Sequence, residues 1–180
     1  CLGDPNLYEK EIQNLNLVQN NPTDTTKLIE MAKQCEESAL EIKGITNSEG
    51  SGSSFSESEF FIANNKGFNG GYRSSTNSIS CSVIAGEGQL MERDYDYAVS
   101  RHIDDLSSPF EVGKSSAKKA IQRLSPRKIE SCKTPVIFDK RISDDLIGYL
   151  ASAVSGNSIA RGTSFLKDSL NKQIFSKDIN

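Results

Sequence analysis

The chain has 180 residues, with 21 basic against 24 acidic side chains, one histidine and a formal net charge of −3. That balance leaves no electrostatic footprint for direct nucleic-acid binding. No apolar run approaches the roughly 18 residues that a membrane span needs, and no signal-peptide pattern opens the chain.

The length suits one ordinary domain, or one domain plus part of another. A start at Cys1, a polar Asn-rich lead and a stop at "SKDIN" raise the expectation of a piece of a larger protein. Four cysteines, Cys1, Cys35, Cys81 and Cys132, lie far apart without a CxxC pair or a dense framework. Reduced thiols in a cytoplasmic protein are the expectation.

Residues 1–22 mix turn residues with scattered apolar ones and read as an extended connector. A helix is expected from about Thr23, with Asp24 as N-cap, Leu28, Ala32, Cys35, Ala39 and Ile42 on one face, and Gly44 as its stop. From Ile45 to Ser100 the period changes to alternation. Ile79, Cys81, Val83 and Ala85 share a face. After the "GEG" connection, Met91, Arg93, Tyr95, Tyr97 and Val99 share one, opposite Glu92, Asp94 and Asp96. With "SEFFIA" and the "NNKG" turn, these segments predict three long antiparallel strands in a meander, packed on one face and wet on the other.

A second helix is signalled by the capping box Ser108/Glu111 with Pro109 at its first position. Val112, Ala117, Ala120, Ile121 and Leu124 form its buried stripe, and Lys114, Lys118, Lys119 and Arg123 its solvated face. "TPVIFD" predicts a short buried strand after Pro135. A third helix follows, with Ser143 as N-cap, a buried stripe of Leu146, Ile147, Leu150, Ala153 and Val154, and Gly156 as its stop. The tail "TSFLKDSLNKQIF" is open between a helix on Leu166, Leu170 and Ile174 and an irregular segment. The fold class is α+β, an antiparallel meander of long strands packed with amphipathic helices.

Residue chemistry offers no catalytic constellation. A hydrolytic zinc site wants about three protein ligands, whereas His102 is the sole histidine. It lies beside Asp104 and Asp105 without a nucleophile elbow, so a surface histidine at a strand end is expected. The glycines of "GFNGGY" and "GEG" lack phosphate-loop context. Glu92, Asp94 and Asp96 share a strand face, and an exposed face commonly carries such a row for solubility.

Four segments, "ITNSEG", "MERDYDYAVSRHIDDL", "RLSPRKIESCKTPVIFD" and "SFLKDSLNKQIF", resemble the TldD/PmbA family in this order, and specifically its PmbA (TldE) branch, also labelled modulator of DNA gyrase. Family members are much longer. The resemblance implies that residues 23–180 are the α+β central part of such a protein, with an N-terminal and a β-rich C-terminal domain missing.

It also implies a function. The two branches together form a cytoplasmic zinc metalloprotease that degrades or processes unfolded peptides, including an antitoxin and a microcin precursor. The TldD branch carries HExxxH on a helix. Alignment on the glycine after the helix puts Gly148 at the first His, Tyr149 at the Glu and Ala153 at the second His.

No catalytic, cofactor-binding or metal-ligating residue is therefore expected here. The resemblance implies zinc in a TldD-like partner and unfolded peptides as substrates, and contact with nucleic acid or membrane is not expected. Asn47, Glu49 and Gly50 orient a peptide or form a turn, Arg93 and Asp94 pair across the sheet, and Arg127 binds a carboxylate or follows a helix stop. The rival reading, from another class, is a stand-alone regulatory protein acting on DNA gyrase or a toxin–antitoxin system.

Overall fold

A computed structural model describes residues 4–8, 11 and 13–177. They divide into two compact units, residues 1–128 and 129–180.

The first unit is a three-stranded antiparallel sheet, order β1-β2-β3, packed on one face by two helices. The strands are β1, Ile45–Ala63, β2, Asn69–Ala85, and β3, Glu92–Ser100. The helices are α1, Thr25–Leu40, and α2, Pro109–Gln122. The meander of long strands with amphipathic helices is as the alternation and the helical periods predict.

Local signals set the ends of these elements. Asp24 caps α1 by accepting from the Thr26 N–H at 3.2 Å, and Gly44 leaves the helix region at φ +106°. Glu111 closes the α2 capping box by accepting from the Ser108 N–H at 3.2 Å. At the β1–β2 turn, Asn64 accepts through Oδ1 from the N–H groups of Lys66 and Phe68 at 2.9 and 3.1 Å. That satisfies the turn backbone within four residues.

The core forms where β2 meets the helices. Ile79, Cys81, Val83 and Ala85 point inward against Met31, Cys35 and Ala39 of α1 and Val112, Ala117 and Ala120 of α2. These side chains are small, so the helices sit close together and close to the sheet. Gly113 marks the tightest point of the α1–α2 crossing. A Cβ there would collide with the Cys35 carbonyl and the Ser38 hydroxyl.

The inner face of β2 turns polar toward Ser75 and Asn77, both fully buried. Buried polar groups need partners, and residues 16–23 and 101–103 supply them. Asn77 Nδ2 donates to Gln19 Oε1 at 2.9 Å and to the Arg101 carbonyl at 3.2 Å. Thr23 Oγ1 donates to Asn77 Oδ1 at 2.8 Å, and Gln19 Oε1 also accepts from the Ile103 N–H at 2.7 Å. One amide side chain thus ties the lead segment, the central strand and the end of β3 together.

Beyond this knot, β1 and β2 continue as a two-stranded arm with Phe60, Phe61, Ile62 and Tyr72 exposed. The Phe60 and Tyr72 rings pair at 5.6 Å. At the tip, Tyr8 packs edge-on against Phe68 at 5.5 Å and accepts from Asn64 Nδ2.

The second unit departs from expectation at several points. "TPVIFD" forms no strand, and Ile137 is 95% exposed. A strand needs a paired neighbour, and among the described residues none lies beside it. The helix α3, Ser143–Val154, is present, but Ile142 rather than Ser143 occupies the cap position. Of its stripe only Ala153 is fully buried, while Leu146, Ile147 and Val154 are exposed. Gly156 does not serve as an αL stop. Ser155 ends α3 in extended backbone, and Gly156 opens a short helix α4, Gly156–Ala160. The tail is irregular, a run of turns with Leu170 exposed.

Replacing Gly113 by Ala is expected to destabilise the first unit by about 1–3 kcal/mol, the usual cost of overpacking a closed contact. Thermal denaturation of the variant against the parent measures it, and an unchanged midpoint would remove the close crossing as a constraint.

Candidate functional site

Two of the resemblance-bearing segments meet on the outer face of the sheet, away from the helices. β1 enters irregularly, with register shifts between Ile45 and Asn47 and between Ser48 and Gly50. Gly50 takes φ +117°, a conformation that suits glycine. An extra residue in one strand re-aims a side chain, and here it turns Glu49 across the sheet.

Glu49 Oε2 accepts from Ser82 Oγ at 2.7 Å, and Oε1 accepts from Arg93 Nη1 at 3.1 Å. The Ser82 hydroxyl first and the Arg93 guanidinium second hold the carboxyl below its ordinary range. Arg93 itself is 75% exposed, so most of its fork of donors faces solvent, suited to a carboxylate or carbonyl of an incoming chain. Asn47, Glu49 and Gly50 therefore form a strand bulge rather than a turn before the meander.

Arg93 thus pairs across the sheet with Glu49, whereas Asp94, on the opposite face, pairs with α2. Glu92, Asp94 and Asp96 turn inward, and Asp94 is only 7% exposed. Their partners are the residues expected to be solvated on α2. Lys119 Nζ lies 2.8 Å from Asp96 Oδ1. Arg123 spans Glu92 and Asp94, both at 3.6 Å.

Tyr95 and Tyr97 instead face outward, 49% and 48% exposed, their rings stacked at 6.3 Å. Burial would push the Asp96 carboxyl up, but hydrogen bonds from Lys119, Ser115 and the Tyr97 amide outweigh it and hold it down. Each of the three carboxylates thus lies beside an α2 cation, and together they form ion pairs between β3 and the helix.

His102 caps a 3-10 turn, and its Nε2 lies 2.8 Å from the Asn16 carbonyl oxygen, which fastens the lead segment. Arg127 is exposed in irregular chain after α2. Cys35 and Cys81 are buried and Cys132 is exposed, all as free thiols, while Cys1 lies outside the described residues. The Cys81 contact and burial push the Cys35 thiol up, which fits packing rather than nucleophilic chemistry.

On α3, Gly148 is open to solvent, Tyr149 is 72% exposed and Ala153 is buried. These residues do not fit a zinc ion, since glycine and alanine offer no ligand and a single phenol cannot make a site. Among the described residues no three His, Cys, Asp or Glu side chains cluster as a metal site would need. Ser82 and Gln19 went unnoticed in the sequence. Each is an ordinary polar residue whose role appears only once strand register is known.

Comparison with known proteins adds the following. Residues 20–124 match the PmbA/TldA metallopeptidase central domain and residues 131–180 the PmbA/TldA metallopeptidase C-terminal domain. These spans fall within the two compact units. The chain is 38% identical to the metalloprotease PmbA of Escherichia coli O157:H7 over 97% of its length, and 38% identical to a PmbA homologue of Haemophilus influenzae over 96%. It spans 39% of the length of each of these relatives.

A crystal structure of a candidate modulator of DNA gyrase from Bacteroides thetaiotaomicron is similar at TM-score 0.87 and 28% identity, over 98% of this chain and 41% of that one. TldE from Thermococcus kodakarensis shares the fold at TM-score 0.57 and 19% identity, over 88% of this chain and 35% of that one. Among the described residues no helix is long and apolar enough to cross a membrane.

The inward acid row gives a pH prediction. Asp96 has a lowered carboxyl pKa, so its contribution to stability is present above the ordinary carboxylate value of about 4 and is lost as pH falls through and below it. Replacing Lys119 by Met is expected to cost about 1–3 kcal/mol at neutral pH by leaving the largely covered Asp96 carboxylate without its cation. It should also flatten the acid limb of the stability curve. Chemical denaturation from pH 7 to pH 3 measures both, and an unaltered limb would show that the pair contributes nothing.

Proposed function

Because the chain belongs to the PmbA/TldD metallopeptidase family, we propose that it acts as the non-catalytic, PmbA/TldE-like subunit of a cytoplasmic zinc metalloprotease that degrades or processes unfolded peptides. A TldD-like partner supplies the zinc, the activated water and the general base. One observation carries this reading. The helix aligned with the family's HExxxH motif presents Gly148, Tyr149 and Ala153, none of which can complete a metal site or activate water there. This subunit's part is to shape the chamber and hold the chain to be cut. An antitoxin and a microcin precursor are the substrates the family resemblance implies.

The bulge of Asn47–Gly50 supports that role. It holds Glu49 on Ser82 and Arg93 and leaves the Arg93 guanidinium facing out, where it can take a peptide carbonyl or carboxylate. The outer face around it carries serine hydroxyls and the exposed Tyr95 and Tyr97, groups that bond a passing backbone without demanding a sequence.

The complete polypeptide, purified alone, is expected to bind no stoichiometric zinc and to leave an unstructured peptide intact. Co-expressed with its TldD-like partner, it should yield a complex with zinc and chelator-sensitive cleavage. Chelator-sensitive cleavage by this polypeptide alone would overturn the reading. Recovery of gyrase without a TldD-like protein in a pull-down would favour the stand-alone regulatory function.

A further inference from the structure

The core of the first unit holds two thiols that the proposed function does not use. Cys35 lies on the inner face of α1 and Cys81 on the inner face of β2, 0% and 1% exposed in the same cluster. Their side chains meet, the Cys35 S–H donating to the Cys81 sulfur. Four elements converge on this contact, because Ser51 of β1 also touches Cys35 and Ser116 of α2 also touches Cys81.

Both backbones are held at this point. Cys81 sits on the central strand, paired with Ser51 on one side and Asp96 on the other. The Cys35 carbonyl accepts from Ser38 Oγ at 2.9 Å, and Gly113 of α2 closes on it so tightly that a Cβ there would collide with its oxygen. The neighbouring core positions Ala39, Ala85, Ala117 and Ala120 are small, which brings α1 close to the strand. A disulfide requires thiols on facing backbones whose side chains point at each other. This pair meets that requirement in the reduced fold.

We propose that Cys35 and Cys81 form a reversible disulfide when the protein meets hydrogen peroxide, and that the bond staples α1 to the central strand. Cys81 reacts first. Donation from the Cys35 S–H outweighs burial and holds the Cys81 thiol below the ordinary thiol range, so thiolate is present at neutral pH. The Cys81 sulfur attacks one peroxide oxygen, the O–O bond breaks, and a sulfenic acid forms while the released hydroxide takes up a proton and leaves as water.

Cys35, held as the thiol, is the resolving partner rather than the group that meets the oxidant. Its sulfur attacks the Cys81 sulfur, the S–O bond breaks, and the departing hydroxyl leaves with the Cys35 proton as a second water. Two thiols and one peroxide thus give one disulfide and two waters. Peroxide is small enough to reach the pair through a local opening of α1. The exposed Cys132 has no such partner on hand in the core and serves as the control.

This inference is independent of the proposed proteolytic role. The complete polypeptide is treated with hydrogen peroxide at neutral pH, its remaining thiols are alkylated, and the tryptic peptides are identified by mass. Cys35 falls in the peptide Gln34–Lys43 and Cys81 in Ser74–Arg93. The expected product is these two joined, lighter by two hydrogens than the separate pair, as the main oxidised form of both cysteines, and parted again by dithiothreitol.

Amide exchange across α1 should slow about tenfold or more in the oxidised protein, because the bridge restricts the opened chain. C132S should still yield the joined peptide, whereas C35A and C81A should lose it. Cys35 and Cys81 recovered as unlinked thiols or sulfinic acids, or joined to a different cysteine, would overturn the proposal, and so would unchanged exchange in α1. The peptide map is read on the parent protein, so poor folding of C35A or C81A leaves the test intact.

Discussion

The alternation of β2 is the constraint on which the first unit depends. Its odd positions from Ser75 to Ala85 are all buried, and its even positions form the outer face. Because the same residues set the register of β1 and β3, a slip of one position would send Ile79, Cys81 and Val83 outward together. Two buried polar residues, Ser75 and Asn77, guard against it. Their hydrogen bonds to Gln19, Thr23 and Arg101 exist in one register only, and leaving such groups unpaired costs about 1–3 kcal/mol each.

The helices and strands of this unit were legible because each rests on signals within a few residues, such as Asp24, Gly44, the Ser108/Glu111 box and the Asn64 turn. The polarity of β3 was not. By hydropathy, Tyr95 and Tyr97 should be inside and Asp94 and Asp96 outside. The order reverses because Lys119 and Arg123, one helix further on, reach down to the carboxylates. That pairing lies beyond any local window. The candidate site was half legible. "NSEG" and "ERDY" both stood out, but their meeting through Glu49 and Arg93 requires the bulge, and the bulge requires register.

The apolar content of residues 129–180 misled in the other direction. Val136, Ile137, Leu146 and Ile147 have the composition of a core, yet they are exposed. Hydrophobicity states what a side chain gains from cover and is silent on whether a neighbour is at hand. The 39% span of the chain relative to its PmbA relatives matters here, for the proposed activity of the whole protein draws on residues that these 180 do not include.

The Gln19 knot has a consequence for the order of events during synthesis. Its carboxamide oxygen accepts from Ile103, 84 residues later. At about 5–20 residues per second, roughly 4–17 s pass between the emergence of one partner and the other. Throughout that interval α1 and the first two strands can assemble and the lead segment can reach Ser75 and Asn77, but the Gln19 oxygen lacks the Ile103 N–H and the buried amide of Asn77 lacks the Arg101 carbonyl. The growing chain thus closes this end of the sheet last, and the ribosome sets the earliest moment at which it can do so.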